Sequence, residues 1–354
     1  MIRKQLTRIK EKRLEKKEKS LSVMPKITNE NVAEHREDIL SGARKYIYPL
    51  QHSKHRIVVL TTTLVVATIM VFFASIVFLL YRQQTSSTFI HQVTKVLPFP
   101  IARTGNRFIA YENYLFELRH YIHYYETQQQ LSFDTESGRD QLAAYKKRAL
   151  DDVVNLAYTK QIAQEKGINV MSEEIDDQIR IAREQKRLGS SEQIFEDVLR
   201  EYWNWSIQDF RRSLYNELLI QKVTRSLDEQ ADKRALEALA KLETGADFAA
   251  IALEYSDEEG TKNTGGEFGE VGINDRNVSQ QTVDTLLQLE PGQYSAIKVI
   301  PYESGYALEI VKNLEDKGST VRGAHIVFKL KDIAETLNNR KESQPYRLYI
   351  SLPE

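Results

Sequence analysis

Few side chains in this sequence could carry out covalent or metal-dependent chemistry. The chain contains no cysteine, which excludes disulfides, thiolate nucleophiles and zinc sites built on cysteine. His120 and His123 are three residues apart and could share a metal ion, but no third ligand stands near them in the sequence. We therefore interpret both histidines as residues that flank the apolar stripe of a helix, and we expect a protein that needs no cofactor.

The segment with the most chemical content runs from Ser256 to Gly269 and reads SDEEGTKNTGGEFG. Its glycines at 265, 266 and 269 indicate a tight backbone path that leads into a short strand. A phosphate-binding loop is excluded, because no Gly-Lys-Ser/Thr follows and no strand–loop–helix pattern surrounds the glycines.

A second segment of interest, VRGAHIVFK, spans residues 321–329 and has the composition of a strand. Side chains alternate between the two faces of a strand. Ala324, Ile326 and Phe328 would then pack on one face, and His325 would lie on the opposite face.

The elements around these residues form two patterns. Helical periodicity with short connections fills residues 108–227, including a helix that Ser206 and Asp209 open as a capping box. Short strands are predicted near 296–301 and 305–313, after a helix near 279–288. The sequence therefore predicts an α+β protein in which an all-helical module precedes an antiparallel sheet with helices.

Residues 57–81 predict a single transmembrane helix. They contain no charged residue and would form a helix about 37 Å long, enough to cross a bilayer core of about 30 Å with some tilt. A buried core helix and a cleaved signal peptide fit less well, because the apolar run is long, starts late and lacks a cleavage site.

Charge is distributed unevenly about this segment. Residues 1–56 hold 15 Lys and Arg against 7 Asp and Glu, so the positive-inside rule places this tail in the cytoplasm and residues 82–354 outside. The mixed-charge run 3–19 is interpreted as a solvated tail, with a helix on anionic lipid as the alternative. Nucleic acid is not expected as a partner, because no aromatic residue interrupts the run.

Two further segments complete the predicted organisation. Residues 82–107 are expected to form a linker, which Pro98 and Pro100 would keep extended. Residues 333–354 are expected to form a C-terminal extension ending in an edge strand over 346–350, because a proline stands just before it.

The helical region resembles a known family. Its segment QEKGINVMSEEIDDQI, followed by a Gly-Ser break and a Trp-then-Ser start to the last helix, is similar to the N-terminal helical region of SurA/PrsA-type foldases. The resemblance implies a chaperone domain over 108–227 that contacts unfolded chains through Tyr202, Trp203 and Trp205. The alternative for these three residues is packing between helices.

The following region resembles the parvulin-type (PpiC) peptidyl-prolyl cis-trans isomerases. The matching pieces are LETGADFAAIALEYSDEEGTKNTGGEFG, LLQLEPGQYS and ESGYALEIVKN. The histidine-bearing first strand of that family is missing from its usual place, but residues 321–329 fit its pattern. We therefore expect a circularly permuted four-stranded sheet over 228–332, with residues 320–330 as its first strand. The alternative is that this segment begins a second, incomplete domain.

The resemblance also implies a site. Its polar catalytic residues would be His325, Glu258 and Ser304, and its proline socket would comprise Val278, Thr282, Leu287 and Leu289. Two departures argue for weak catalysis: Ala307 replaces the second histidine of the family, and Val278 and Thr282 replace its larger Met and Phe.

The sequence thus predicts a membrane-anchored extracytoplasmic foldase that isomerises X-Pro bonds in exported, unfolded polypeptides. The main alternative is a parvulin-fold chaperone or interaction module that has lost catalysis. A signalling protein that connects the cytoplasm with the exterior is a third interpretation, which rests only on the basic tail.

Overall fold

The computed structural model describes residues 10–15, 28–47, 49–105, 107–184 and 191–351. Parts of the mixed-charge run 3–19 therefore lie outside the described residues. The chain divides into two compact units, Met1–Val77 and Phe78–Glu354.

Two long helices dominate the N-terminal part, α1 (Asn29–Ile47) and α2 (Pro49–Tyr81). Within α2, His55–Tyr81 is the one segment of the described residues that is long and apolar enough to cross a membrane, with a mean hydropathy of 2.7. The predicted span 57–81 lies inside this helix. The Ser75 hydroxyl donates to the Val71 carbonyl at 2.8 Å, one turn back, so this polar group is satisfied within the helix.

The expectation of an extended linker over 82–107 is wrong. This segment contains helix α3 (Thr88–Val96), strand β1 (Pro100–Thr104) and the start of strand β2 (Arg107–Ala110). Ser87 caps α3 by accepting from the Ile90 amide, which satisfies one of the free N–H groups of the first turn. Ile90, His91 and Thr94 are buried, so tertiary packing rather than the proline content decides the structure here.

The all-helical module forms as predicted. Among its described residues, the helices are α4 (Tyr111–Gln128), α5 (Glu136–Lys166), α6 (Ser172–Glu184), α7 (Glu192–Trp203) and α8 (Ile207–Leu227). Gly167, with a φ of 67°, ends α5, because glycine adopts the left-handed conformation without steric strain. The predicted capping box of Ser206 and Asp209 at the start of α8 is confirmed.

The second module is a four-stranded antiparallel sheet with helices. In chain order its elements are α9 (Glu229–Glu243), α10 (Phe248–Tyr255), α11 (Glu259–Lys262), β3 (Glu267–Val271), α12 (Gln280–Leu286), β4 (Lys298–Tyr302), β5 (Gly305–Asp316) and β6 (Val321–Lys329). The strands lie in the order β3-β6-β5-β4. The last strand of the module is therefore a central strand of the sheet.

The pairing of β6 distinguishes the two interpretations of residues 321–329. β6 pairs antiparallel with β5, with His325 opposite Val311, and also with β3. The predicted pairing is confirmed. A strand that completes this sheet does not begin a separate domain.

The final elements return to the beginning of the Phe78–Glu354 unit. Helix α13 (Ile333–Ser343) lies against α5, and the Arg340 guanidinium donates to Glu165 Oε1 at 2.9 Å. Strand β7 (Tyr346–Leu348) pairs with β1 at the edge of a second sheet, in the order β2-β1-β7, which confirms the predicted edge strand. The four-stranded module is consequently inserted between segments that pack together.

Candidate functional site

His325 lies in the middle of the four-stranded sheet, on the face away from helices α9 and α10. Ala324, Ile326 and Phe328 pack with those helices in one apolar core, as the alternation predicted. The His325 amide donates to the Gly266 carbonyl at 2.9 Å. The glycine-rich loop is thereby fixed against β6, and only 7% of His325 is exposed.

Both ring nitrogens of His325 have polar partners. Nδ1 lies 2.8 Å from Glu309 Oε1, and Nε2 lies 3.1 Å from the Thr261 hydroxyl. The other oxygen of Glu309 accepts from the Thr282 hydroxyl at 2.7 Å, and Thr282 Oγ1 lies 2.7 Å from Ser279 Oγ. A continuous chain of five polar side chains therefore crosses this face of the sheet.

The prediction missed Glu309, which is 1% exposed. A signal was present in the sequence: Glu309 stands on a predicted strand with apolar neighbours on both sides, in ALEIV. A carboxylate in such a position is buried only when it is hydrogen-bonded. A buried polar partner for His325 was therefore foreseeable.

Apolar side chains flank this polar chain on both sides. On one side, Val271, Leu286, Val311 and Val321 form a buried cluster against which Phe268 and Val278 pack. The Phe268 ring meets the His325 ring edge-on at a centroid distance of 4.8 Å. On the other side, Ile300, Ala307 and Val327 form a smaller cluster with Tyr302. The face thus combines one polar line with apolar walls.

The predicted socket residues have different positions. Val278 lies in the apolar wall, and Thr282 is buried with its hydroxyl on Glu309. Leu287 is 38% exposed at the end of α12, and Leu289 contributes its carbonyl to the Asn313 amide. The buried neighbour on α12 is Leu286, because one helical position rotates the side chain by about 100°.

The structure brings Glu258 to the edge of this face but leaves Ser304 outside. The Glu258 carboxylate accepts from the Tyr302 hydroxyl; burial and this hydrogen bond raise the pKa of Tyr302. Ser304 is exposed in the turn between β4 and β5, after Glu303 with a φ of 51°. No hydrogen bond among the described residues joins the side chain of Ser304 to His325, so its catalytic role stays a prediction.

A separate cleft of about 380 Å³ lies between α3 and helices α4, α7 and α8 of the helical module. The Trp205 ring stacks against Phe116 and His120, at centroid distances of 5.4 and 4.6 Å. Burial and the neighbouring His123 lower the pKa of His120 to about 4, so its ring is neutral at pH 7. Trp205 Nε1 and His120 Nδ1 are buried without a hydrogen-bond partner among the described residues, and His91 Nε2 lies 3.6 Å from Glu112 Oε1. The cleft therefore offers an aromatic wall.

Comparisons with known proteins agree with the division into a helical module and a module with a four-stranded sheet. Residues 51–224 match the model of the SurA-like N-terminal domain, and residues 218–315 match that of the PPIC-type PPIase domain. The second match includes β3, β4 and most of β5, and it ends before β6.

Two curated relatives are foldases. The chain is 38% identical over 86 residues to foldase protein PrsA 4 of Bacillus cereus, which is 24% of this chain and 28% of the relative. It is 26% identical over 118 residues to foldase protein PrsA of Clostridium acetobutylicum, which is 33% of each. The matched stretches thus span about a third or less of these relatives.

Among solved structures, that of foldase protein PrsA from Streptococcus pneumoniae is 18% identical. The overlap covers 55% of this chain and 74% of that one, with a TM-score of 0.19. From the two domain matches and the curated relatives, the chain combines a SurA-like N-terminal domain with a PPIC-type PPIase domain and is a homologue of the PrsA foldases.

Proposed function

We propose that this chain is a membrane-anchored foldase that accelerates the cis-trans isomerisation of X-Pro bonds in unfolded, exported polypeptides. The observation that carries the proposal is the position of His325. It lies on a central strand of the sheet of a PPIC-type PPIase domain, with hydrogen-bond partners on both ring nitrogens and apolar walls beside it.

The chemistry of this reaction fits such a face. Rotation about a peptide bond has a barrier of about 18–20 kcal/mol, and the uncatalysed X-Pro reaction takes tens to hundreds of seconds. No bond is broken, so neither a nucleophile nor a metal is required. The partly exposed Phe268 and Val278 would hold the proline ring, and the His325 side chain would favour the twisted amide electrostatically.

A permuted strand order accounts for the unusual position of the histidine. We assign residues 228–332 to the isomerase domain, with residues 320–330 in place of a first strand that would otherwise precede α9. Two facts support this boundary: β6 completes the sheet between β3 and β5, and the PPIC-type match ends at residue 315. The helical domain would then comprise residues 108–227.

The helical cleft is the proposed contact region for unfolded chains. An extended polypeptide presents carbonyl groups and apolar side chains together. The stacked rings of Phe116, His120 and Trp205 would pack against the apolar side chains. Trp203 lines the same cleft, and Tyr202 is 41% exposed beside it in sequence.

The apolar helix supports a membrane anchor for the chain and an extracytoplasmic location for its two domains. A single span over residues 57–81, with the basic segment 1–56 on the cytoplasmic side, would leave both domains outside the cytoplasm. Slow proline isomerisation limits the folding of many polypeptides. A foldase tethered at the outer surface would meet exported chains before they fold.

A chaperone without catalysis is the second candidate function. Ala307 favours it, because this position is filled by apolar packing with Ile300 and Val327 rather than by a second histidine. The full chain in detergent should be assayed for isomerisation of a proline tetrapeptide and for suppression of client aggregation. Accelerated isomerisation together with suppressed aggregation supports the foldase. Suppressed aggregation with no accelerated isomerisation leaves the chaperone alone.

A further inference from the structure

Glu309 presents an electrostatic problem that the fold must solve. Its side chain is 1% exposed, and burial of an unpaired carboxylate in a protein interior is very unfavourable. Among the described residues, its carboxylate accepts hydrogen bonds from two side chains, the His325 ring through Nδ1 at 2.8 Å and the Thr282 hydroxyl at 2.7 Å. Two fully buried polar side chains, Glu309 and Thr282, thus form one hydrogen-bonded chain with His325.

The directions of the hydrogen bonds in the chain of five polar side chains can be assigned by starting from the Glu309 carboxylate. An ionised carboxylate only accepts hydrogen bonds, so both Thr282 Oγ1 and His325 Nδ1 must donate to Glu309. With its proton used in this way, Thr282 Oγ1 accepts from the Ser279 hydroxyl. In the neutral imidazole, Nε2 then has the lone pair, and it accepts from the Thr261 hydroxyl at 3.1 Å.

The register explains how the carboxylate reaches the ring. Glu309 lies opposite Val327, and His325 lies opposite Val311, so Glu309 and His325 are diagonal neighbours on the same face. Ala307 lies two positions before Glu309 on β5 and therefore on that same face. Glu309, two residues further along the strand, thus supplies the polar partner for His325 that the alanine at position 307 cannot provide.

From this geometry we infer that Glu309 is the positioning residue of the site. In the neutral form of the His325 ring, Glu309 selects the tautomer with the proton on Nδ1, which leaves the Nε2 lone pair on the side of Thr261. The inference rests on the proposed isomerase function for its kinetic consequence, but the tautomer assignment stands on the hydrogen bonds alone.

A merely structural role for Glu309 would affect stability alone. Removal of one partner of a buried charged pair is destabilising in itself, so stability does not distinguish the two roles, and the state of the His325 ring must be read directly. The informative variant is the double substitution Glu309→Leu with Thr282→Val, which removes the buried carboxylate together with the hydroxyl that donates to it. The matched control is Glu315→Gln, an exposed carboxylate on the same strand that pairs with Arg322.

The direct test is ¹⁵N NMR of the full chain in detergent, labelled at histidine and recorded at pH 8. The His325 signals are identified by their loss in His325→Ala. The wild type should show Nδ1 protonated and Nε2 bare, and Glu315→Gln should be identical. In the double variant the Nδ1 proton should lose its preference, since no acceptor remains beside it. A wild-type ring that carries a proton on Nε2 at pH 8, alone or together with one on Nδ1, overturns the inference, whether or not the double variant folds.

Kinetics provide the second readout. The double variant should lower kcat/KM for a proline tetrapeptide about 10- to 100-fold, the range found when partners that orient metal-bound histidines are removed. The loss should be in kcat more than in KM, and Glu315→Gln should match the wild type. Unchanged kinetics and an unchanged tautomer in a folded double variant would overturn the inference. An inactive wild type with Nδ1 protonated would instead reject the isomerase proposal and leave the assignment of Glu309 intact.

Discussion

Gly266 provides the most quantitative test of how the glycine-rich loop holds β6. Its φ is +82°, and a Cβ atom added there would lie 2.2 Å from the carbonyl oxygen of His325 and 3.2 Å from the Ala252 side chain. The Gly266 carbonyl also accepts from the His325 amide. Gly266→Ala therefore combines backbone strain with a collision against backbone, which no side-chain rotation can relieve.

The expected loss of stability follows from these contacts. The left-handed conformation costs a non-glycine residue about 1–2 kcal/mol, forced overpacking adds about 1–3 kcal/mol, and a displaced backbone hydrogen bond adds about 0.5–1.5 kcal/mol. We expect a destabilisation of the sheet of about 4 kcal/mol. Since about 1.4 kcal/mol corresponds to a factor of ten, amide hydrogen exchange in β6 should accelerate by nearly three orders of magnitude.

Two other glycines separate the contributions. Gly292 has a φ of +89° with open space around its Cβ position, so Gly292→Ala should cost only the strain of about 1–2 kcal/mol. Gly272 has no positive φ and no atom nearer than 3.8 Å, so Gly272→Ala should be close to neutral. Hydrogen exchange of residues 321–329 in the full chain measures all three. If Gly266→Ala exchanges no faster than Gly292→Ala, the collision with β6 is not real and the reasoning fails.

Three further predictions concern the other parts of the chain. Burial, and then the Asp152 charge, raise the pKa of Glu117 to about 7; its contribution to stability is therefore full below about pH 4.5 and is lost as the pH rises through 7. Thermal denaturation at pH 5 and pH 8 should show this loss in the wild type and not in Glu117→Gln. Ser206→Ala removes the α8 cap and should lower stability by about 1 kcal/mol, measured by urea denaturation; an unchanged midpoint would contradict the role of the cap. Protease added outside intact spheroplasts should digest residues 82–354, and protection of that region would refute the proposed orientation.

The sequence predicted those features that depend on local pattern. Alternation in residues 321–329 placed His325 opposite Ala324, Ile326 and Phe328, and the sheet has this arrangement. The position of the strand was also predictable, because only a short turn separates it from β5 and a hairpin between adjacent strands requires little chain.

Features that depend on tertiary contact were missed. Residues 82–107 looked like a linker because their proline content suggested extended chain, whereas burial of Ile90 and pairing of β1 with β7 give them structure. Leu287, which is 38% exposed next to the buried Leu286, stays a predicted socket residue. Glu309 was overlooked because its hydrogen bond to His325 joins diagonal neighbours on two adjacent strands, and the sequence alone does not give their register.

The most direct test of the central claim is the rate of cis-trans isomerisation of a proline tetrapeptide at substoichiometric concentrations of the full chain in detergent. We expect catalysis by the wild type and by His35→Ala, which replaces an exposed histidine in α1. We expect a large loss of activity in His325→Ala, whose fold is verified by hydrogen exchange of β6. A wild type that does not accelerate the reaction, or a folded His325→Ala that is as active as the wild type, would contradict it.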